Sequence, residues 1–283
     1  MSEVISIINE KGGVGKTTST INIAEILAKA GYEVLVVDLD PQMNLTKVLG
    51  NNISENIETD YTSLFCSEID MDTLVTNFVK YTDYENICII PATREHADII
   101  YSIHNAMQSN QNVALYFRKN LGHLKEMFDY ILIDNSPFKS TLTTCSICAS
   151  DNILTPIQAD NFSYDGLFNL IQSISELNQK YSLDVKFLGI FMTRVVTRSN
   201  LYKGLFESYQ NEFGDKFIPI SISNSIILGE INTNFTPLLS YDKKSNAAKE
   251  YIELVNYIGL LDNKHYKKLI QFVKCSKNKK GGN

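Results

Sequence analysis

Lysine, glycine and threonine residues near the amino terminus follow one another at a spacing that suits a phosphate chain. Residues 9–18 read Asn-Glu-Lys-Gly-Gly-Val-Gly-Lys-Thr-Thr and lie between an apolar run and an amphipathic stretch. Glycines let a backbone wrap a phosphate with its N–H groups turned inward, and the N-terminus of a following helix adds positive charge. Lys16 can reach the β- and γ-phosphates of a nucleotide, and the Thr17 hydroxyl can bind Mg²⁺. The sequence therefore predicts a nucleotide-binding loop made of Lys11, Gly12, Gly13, Val14, Gly15, Lys16, Thr17 and Thr18.

Acidic residues follow two other apolar runs of the chain. Asp38 and Asp40 come at the end of the run 34–37, and Asp134 directly follows the run 130–133. Ligands of open α/β sheets bind at the carboxyl ends of the strands, so we expect these carboxylates beside the phosphate loop. An aspartate in the position of Asp134 can hold Mg²⁺ through its water shell. For Asp38 and Asp40 the alternative is an Asp-Pro turn that ends a strand.

The elements that must position these side chains are short apolar runs separated by longer amphipathic stretches. The runs are continuous rather than alternating, which is typical of strands buried on both faces of a parallel sheet. Residues 17–30 carry apolar side chains at helical spacing, and Gly31 suits the end of that helix. We therefore predict one α/β domain of the P-loop NTPase type over residues 1–262, with a mostly parallel twisted sheet and helices on both faces. The predicted strands lie at 4–8, 34–37, 87–90, 130–133, 153–154 and 187–192.

Charge is spread unevenly along the chain. The net charge is −6, yet residues 264–283 carry seven lysines and no acidic residue. Such an asymmetry is typical of contact with nucleic acid, a membrane surface or an acidic partner, and the alternative is a solvated, disordered segment. We therefore predict a basic C-terminal tail over residues 263–283, appended to the domain. The chain contains no apolar run of the roughly 18 residues that a membrane span needs, so we expect a cytoplasmic protein.

The phosphate loop departs from the plain G-x-x-x-x-G-K-[ST] pattern, which would place glycine where this chain has Glu10. Its Lys-Gly-Gly-Val-Gly-Lys-Thr-Thr sequence resembles the deviant Walker A loop of the ParA/MinD superfamily of ATPases. That resemblance implies ATP and Mg²⁺ as cofactors, and weak, partner-stimulated hydrolysis of ATP to ADP and phosphate. It also implies that Lys11 reaches the nucleotide of the other subunit across a dimer, that Asp38 helps organise the Mg²⁺ region, and that Asp40 orients the attacking water. The implied catalytic residues are Lys11, Lys16 and Asp40, and the implied Mg²⁺ residues are Thr17, Asp38 and Asp134.

Residues towards the end of the chain narrow this resemblance. Pro237, Tyr241, Ser245, Ala248 and Tyr251 fit the spacing of ParA-type partition ATPases. Members of that family form ATP-sandwich homodimers that bind DNA nonspecifically, and a centromere-binding ParB-type partner triggers hydrolysis and release. The resemblance therefore implies a nucleoid-associated protein that partitions a plasmid, a mobile element or a chromosome.

The chain departs from the family at positions that bear on its switch and on its DNA contacts. The family usually has glycine at position 43 and proline at position 136, where this chain has Met43 and Ser136. Many members carry arginine in the segment that matches residues 217–230, and this chain does not. Lysines can replace them, because phosphate contacts need charge more than a fork geometry. The candidate DNA-contacting residues are Lys203, Lys243, Lys244, Lys249, Lys267 and Lys268.

Two other functions stay open at this point. A MinD-like membrane-positioning ATPase needs an amphipathic helix at its C-terminus, and Tyr266, Leu269, Ile270 and Val273 have the spacing of an apolar helix face. An adaptor or scaffold would keep the nucleotide-binding loop and show no stimulated turnover. The spacing of residues 237–251 favours partition over membrane contact.

Overall fold

A computed structural model of the protein describes residues 2–50, 60–93, 96–109, 113–159 and 164–275. Within these ranges the strands are β1 (Glu3–Ile7), β2 (Val34–Asp38), β3 (Lys80–Tyr81), β4 (Ile87–Ile90), β5 (Tyr130–Asp134), β6 (Asn152–Gln158), β7 (Lys186–Val195) and β8 (Phe217–Ser223). They form one sheet in the order β3-β4-β2-β5-β1-β6-β7-β8. Neighbouring strands are parallel except for β3 and β4, which are antiparallel. The predicted α/β class with a mostly parallel sheet is confirmed.

Helices cover both faces of this sheet, because successive side chains along each strand point in opposite directions. Ile5 and Val36 pack with α1, α2 and α10–α13, whereas Val4 and Leu35 pack with α3–α7 on the opposite face, which also carries α8 and α9. The described helices are α1 (Lys16–Ala30), α2 (Asn44–Leu49), α3 (Ser63–Cys66), α4 (Met71–Asn77), α5 (His96–Ser109), α6 (Val113–Leu124), α7 (Thr141–Ala149), α8 (Tyr164–Tyr181), α9 (Asn200–Phe213), α10 (Ile226–Thr233), α11 (Leu238–Asp242), α12 (Asn246–Tyr257) and α13 (Asn263–Lys274).

The structure contains every predicted strand and adds β3 and β8, which the sequence analysis did not predict. β3 is only two residues long. β8 includes Pro219 and places serine at alternate positions near its end, so it lacks the continuous apolar run on which the other strand predictions rested. Proline is tolerated there because β8 is an edge strand and one side of it needs no backbone hydrogen bonds. The carboxyl end of β8 lies on the same side of the sheet as the phosphate loop.

The lysine-rich C-terminal segment begins with a packed helix. α13 begins after Asp262, whose carboxylate accepts a hydrogen bond from the His265 backbone N–H at 2.8 Å. Leu269 is fully buried in the core that α13 shares with α1, and the Tyr32 ring stacks on the His265 imidazole with 4.0 Å between centroids. The packed domain therefore continues through α13, beyond the predicted boundary at residue 262. Residues 276–283 of the predicted tail lie outside the described residues.

Candidate functional site

The phosphate loop joins β1 to α1 at the carboxyl edge of the sheet. β1 lies between β5 and β6, so the loop occupies the middle of that edge. Gly13 and Gly15 adopt φ angles of 77° and 87°, which glycine reaches without steric cost. Gly15 directly precedes α1, and the first N–H groups of a helix have no partner within the helix. This arrangement suits phosphate oxygens at the N-terminus of α1.

Side chains from outside the loop fix its backbone to the end of β6. The Asn9 amide donates a hydrogen bond to the Pro156 carbonyl at 2.8 Å, while its Oδ1 accepts one from the Lys11 N–H at 2.8 Å. The Gln158 amide donates to the Gly13 carbonyl at 2.9 Å. These bonds hold the loop backbone in one conformation at the end of β6, which lowers the entropic cost of binding a ligand there.

Lys16 places a buried cation inside the loop. Its side chain is 6% exposed, and Nζ donates to the carbonyl oxygen of Lys11 at 3.0 Å. Burial lowers the pKa of Lys16, and the nearby carboxylates of Asp134 and Asp40 oppose that shift. The ammonium group is thus held among opposite charges at the point where a phosphate chain would meet the loop.

Asp38 and Asp134 lie side by side at the ends of β2 and β5, where their Cα atoms are paired in register. Asp38 Oδ2 accepts from the Thr46 N–H at 2.9 Å and from the Thr46 hydroxyl at 2.7 Å, and Oδ1 accepts from the Asp40 N–H at 3.0 Å. Burial raises the pKa of Asp38 to about 6, although these hydrogen bonds lower it. Asp38 therefore holds the backbone of Asp40 and the start of α2 beside the loop.

Asp134 is buried without a hydrogen-bond partner for either carboxylate oxygen. Burial raises the pKa of Asp134 well above its ordinary value, and the Asp38 carboxylate raises it further, while the Thr17 hydroxyl close by, which makes no well-formed hydrogen bond to Asp134, and the positive charge of Lys16 oppose this rise. An unpartnered buried carboxylate is costly, and a divalent cation would satisfy it. Oxygen ligands are also those that Mg²⁺ prefers. The residues present therefore fit a Mg²⁺ ion held between Asp134 and the Thr17 hydroxyl, with Asp38 adjacent.

We expect Asp134→Asn to stabilise the nucleotide-free protein and to weaken Mg²⁺-dependent nucleotide binding. A carboxyl group whose pKa is raised by folding favours the native state while it is protonated, and that stability is lost as the pH rises through the raised pKa. Asparagine keeps the shape without the charge, so the gain should be about 1 kcal/mol or more at pH 8 and should shrink at acidic pH. Denaturant unfolding at pH 8 and at acidic pH measures this gain in stability. Asp215→Asn, at an exposed position, is the control. A loss of stability at pH 8 would contradict this assignment.

Asp40 lies in the wall of a cleft that begins at the phosphate loop. Its side chain is 7% exposed, and Oδ1 accepts a hydrogen bond from the Gln42 N–H at 2.9 Å. The cleft has a volume of about 620 Å³, and its walls also include Asn224 and Leu228, which follow β8. Ligand pockets for molecules of nucleotide size fall in this range. Asp40 thus lines the cleft, where its carboxylate can accept a hydrogen bond from a water molecule.

A family model described as AAA domain matches residues 2–187 of the chain. The chain belongs to this family. The sporulation initiation inhibitor protein Soj of Bacillus subtilis is 32% identical over 259 residues, covering 92% of this chain and 99% of that protein. The chromosome-partitioning ATPase Soj of Treponema pallidum is 30% identical and covers 93% of this chain and 99% of its own length. The resemblance to ParA-type partition ATPases is confirmed.

Solved structures share the fold of this AAA-domain protein. A McdA variant from Cyanothece in complex with ATP superposes with a TM-score of 0.78 at 21% identity, covering 92% of this chain and 98% of that chain. A plasmid partition protein from Borrelia burgdorferi bound to AMPPNP gives a TM-score of 0.71 at 23% identity, with coverage of 91% and 98%. At these identities the similarity shows the common fold.

Position 43, where the family resemblance leads us to expect glycine, has a left-handed backbone in this AAA-domain protein. Met43 adopts φ 56°, ψ 29° directly before α2. Its N–H donates to the Asp40 carbonyl at 2.9 Å, so the strained residue belongs to the turn that carries Asp40. Glycine reaches this conformation freely, whereas methionine adopts it at a cost of about 1 kcal/mol. A positive φ at this position is the physical reason why glycine would suit it.

The candidate DNA-contacting lysines do not form one surface. Lys203 lies on α9, on the opposite face of the sheet from α11–α13. Lys243 is engaged at the end of α13, where Nζ donates to the carbonyl oxygens of Phe272 and Cys275 at 2.7 Å each. The Lys268 side chain lies against Gly31, at the end of α1. Of the six candidates, those that are exposed on the face of the sheet that carries α11–α13 are Lys244, Lys249, Lys267 and Lys268.

The structure brings to the phosphate loop two further residues that the sequence analysis did not assign to the site. The Thr193 hydroxyl donates to the Val14 carbonyl at 2.7 Å, and the Arg194 guanidinium donates to the Gly13 carbonyl at 3.2 Å. Both residues lie at the end of β7, which is separated from β1 by one strand. The only available signal in the sequence was polar residues at the end of a predicted strand.

Proposed function

We propose that the protein is a ParA-type partition ATPase that hydrolyses ATP to ADP and phosphate with Mg²⁺ and switches between DNA-bound and free states. The observation that carries the proposal is the phosphate loop with two lysines, Lys11 and Lys16, beside the unpartnered carboxylate of Asp134. One relative, which is named a chromosome-partitioning ATPase, matches this chain over almost its entire length. The cargo is a plasmid, a mobile element or a chromosome.

The residues of the cleft divide the work of hydrolysis among them. Lys16 and the N–H groups at the start of α1 bind the phosphates. Thr17 and Asp134 would hold Mg²⁺, which would supply positive charge against the charge that develops on the transferring phosphoryl group. Asp40 accepts a hydrogen bond from the attacking water and orients it towards the phosphate chain. Lys11 adds positive charge at the same site from the second subunit.

A second copy of the chain is the partner that suits the mouth of the cleft. Large apolar side chains stand exposed around it: Phe138 lines the cleft and is 74% exposed, and Ile226, at the start of α10, is 82% exposed. Val196 and Leu201 line an adjoining cleft and are more than half exposed. A rim of this kind is typical of surfaces that become buried in an assembly. ATP between two such faces would complete both sites and hold the homodimer together.

Helix α1 connects the nucleotide site to the C-terminal helices. Ser19 shares a hydrogen bond of 3.1 Å with the Tyr251 hydroxyl of α12, and Asn22 Oδ1 accepts from the Leu238 N–H at 3.0 Å. One turn further, Glu25 accepts from the Leu239 N–H at 2.6 Å. These hydrogen bonds join one face of α1 directly to α11 and α12. This connection offers a route by which nucleotide state can control the DNA-binding face.

The DNA-binding face that we propose lies on α11–α13. A cleft of about 450 Å³ there is lined by Lys29, Lys243, Lys244 and the ring of Phe272. Lys243 lies over that ring at 4.3 Å from its centroid and donates to the Phe272 and Cys275 carbonyl oxygens, so it adds positive charge to this face without contacting DNA directly. Two copies in a dimer would double the charge offered to one duplex. A centromere-binding ParB-type protein is the partner that stimulates hydrolysis and releases the dimer from the nucleoid.

Membrane positioning of the MinD type is less favoured by the packing of α13. Leu269 is fully buried, and Tyr266, Ile270 and Val273 pack against the same core, so the apolar face is already covered by the protein. Lipid binding would require α13 to leave α1. Across the described ranges, none of the helices combines the length and apolar character needed to cross a bilayer.

Phosphate release is the experiment that tests the proposed reaction. With ATP and Mg²⁺ we expect slow turnover that rises when DNA and the partner are added together. An adaptor or scaffold would bind ATP with no turnover above the background of a Lys16→Ala control. Turnover that needs no Mg²⁺ would contradict the roles given to Thr17 and Asp134.

We expect the exposed lysines of α13 to set part of the salt dependence of DNA binding. Deleting residues 264–283 would remove buried Leu269, so replacing Lys264, Lys267 and Lys274 by glutamine is the cleaner change. Each lysine that neutralises a phosphate steepens the log–log salt slope by about 0.9, so the slope should fall by up to about 3 units per protomer. Titrations at several salt concentrations measure it. An unchanged slope would contradict the proposed face.

A control for that experiment removes the same charge elsewhere. The matched triple variant replaces Lys180, Lys186 and Lys216 by glutamine; all three are exposed, and they lie on α8, at the start of β7 and directly before β8 rather than on α11–α13. It should keep the slope of the wild type. Equal loss in both variants would show that net charge alone, and not the α13 face, controls DNA affinity.

A further inference from the structure

Arg194 occupies an unusual position at the end of β7. Its backbone is left-handed, with φ 53°, a conformation that non-glycine residues seldom adopt. The conformation directs an exposed guanidinium group across the edge of the sheet to the phosphate loop, where it donates to the Gly13 carbonyl at 3.2 Å. Arg194 also lines the nucleotide cleft itself.

The Gly13 carbonyl accepts a hydrogen bond from the Gln158 amide at 2.9 Å in addition to the one from Arg194. The next carbonyl along the loop, that of Val14, accepts from the Thr193 hydroxyl at 2.7 Å. Three side chains from β6 and β7 thus hold two successive loop carbonyls on the side of those strands. Loop carbonyls that are engaged there cannot turn towards a phosphate, where they would repel it.

We propose that Arg194 is a positioning residue for ATP binding. It holds the Gly13 carbonyl away from the phosphates, and it brings a positive charge to the wall of the cleft in which they bind. Its role rests on the proposed nucleotide binding of the loop and adds a determinant of affinity from a strand outside the loop. Arg194 acts on binding through the loop and takes no part in positioning the attacking water, which belongs to Asp40.

Three substitutions separate the two parts of this role. Arg194→Ala removes both the hydrogen bond and the charge, Arg194→Gln keeps an amide donor without the charge, and Arg194→Lys keeps the charge with a single donor group. We expect the Kd for ATP to rise about tenfold in the alanine variant, less in the glutamine variant, and least in the lysine variant. The kcat at saturating ATP should stay within about twofold of the wild type, because chemistry does not pass through Arg194.

The shared acceptor provides a second readout. Gln158→Ala removes the other hydrogen bond to the Gly13 carbonyl. In the double variant with Arg194→Ala, the loss of ATP affinity should depart from the sum of the two single losses, because both bonds act on the same carbonyl. Lys186→Ala, at the opposite exposed end of β7, is the control for loss of a cation and should leave the Kd unchanged. A residue that served only the stability of the fold would lower the melting temperature without this ordered change in Kd.

Isothermal titration with ATP and Mg²⁺ on the full chain tests the proposal. An ATP affinity that is equal in the wild type and in Arg194→Ala overturns the role of Arg194, and so does a loss in the lysine variant as large as in the alanine variant. Wild-type protein that does not bind ATP at all would instead overturn the proposed function. The two failures are therefore distinguishable in one set of titrations.

Discussion

Replacing Lys16 by alanine is expected to abolish ATP binding while the protein stays folded. The ammonium group lies buried in the loop and would form charge-assisted hydrogen bonds with the β- and γ-phosphates. Each such bond contributes about 1.5–3 kcal/mol, so the affinity should fall at least about 100-fold. Because burial lowers the pKa of Lys16, the native state holds this cation at a cost, and its removal should not reduce the melting temperature much. Titration calorimetry and thermal unfolding measure the two effects.

The matched control for Lys16 is Lys29→Ala, near the other end of the same helix. Lys29 lies over the Phe272 ring at 5.6 Å from its centroid and away from the loop, so ATP binding should be unchanged. If Lys16→Ala bound ATP within threefold of the wild type, the loop would not be the phosphate site. If both variants lost affinity, the effect would come from α1 as a whole.

Replacing Asp40 by alanine is expected to separate ATP binding from hydrolysis. The Asp40 side chain lies beside the cleft. The turn that carries it is fixed by hydrogen bonds of Asp40 with the Asp38 carboxylate, the Gln42 N–H and the Met43 N–H. Loss of a group that orients or deprotonates the attacking water reduces turnover about 100-fold or more. ATP affinity should change little, because Lys16 and the loop remain. The variant should therefore stay in its ATP-bound state on DNA after the partner is added.

Single-turnover phosphate release and DNA dissociation measure the Asp40 variant in parallel. Asp215→Ala, at an exposed position after α9, is the control and should hydrolyse ATP as the wild type does. Normal hydrolysis by Asp40→Ala would show that another group positions the water. A large loss of ATP affinity would show instead that Asp40 serves binding through its electrostatic interaction with the Lys16 ammonium group.

The parts of the fold that were predictable from sequence are those whose signal is local. The phosphate loop, α1 and its end at Gly31 depend on neighbouring residues: Gly31 adopts φ 110°, and its N–H donates to the carbonyls of Leu27 and Ala28. The buried central strands were equally clear, because both faces of each are apolar. Such features need no knowledge of what the chain packs against.

What the sequence did not predict depends on contacts between distant segments. α13 has the composition of a free basic tail, and only its packing on α1 explains why Leu269 is fully buried. From the sequence alone Lys243 is a candidate DNA contact, but in the fold its ammonium group donates hydrogen bonds to the end of α13. Arg194 and Gln158 meet at the Gly13 carbonyl from two strands that are far apart in sequence. No spacing rule within one segment brings these groups together.

ATP is expected to make this protein bind DNA, and a co-sedimentation experiment measures this switch directly. The full chain is spun with random-sequence DNA or with anionic lipid vesicles, in each case with ATP and Mg²⁺, with ADP and Mg²⁺, or without nucleotide. We expect the protein to sediment with DNA in the presence of ATP, Lys16→Ala to abolish this binding, and little protein to sediment with vesicles. DNA binding that is equal with ATP and with no nucleotide, or ATP-dependent sedimentation with vesicles alone, would contradict it.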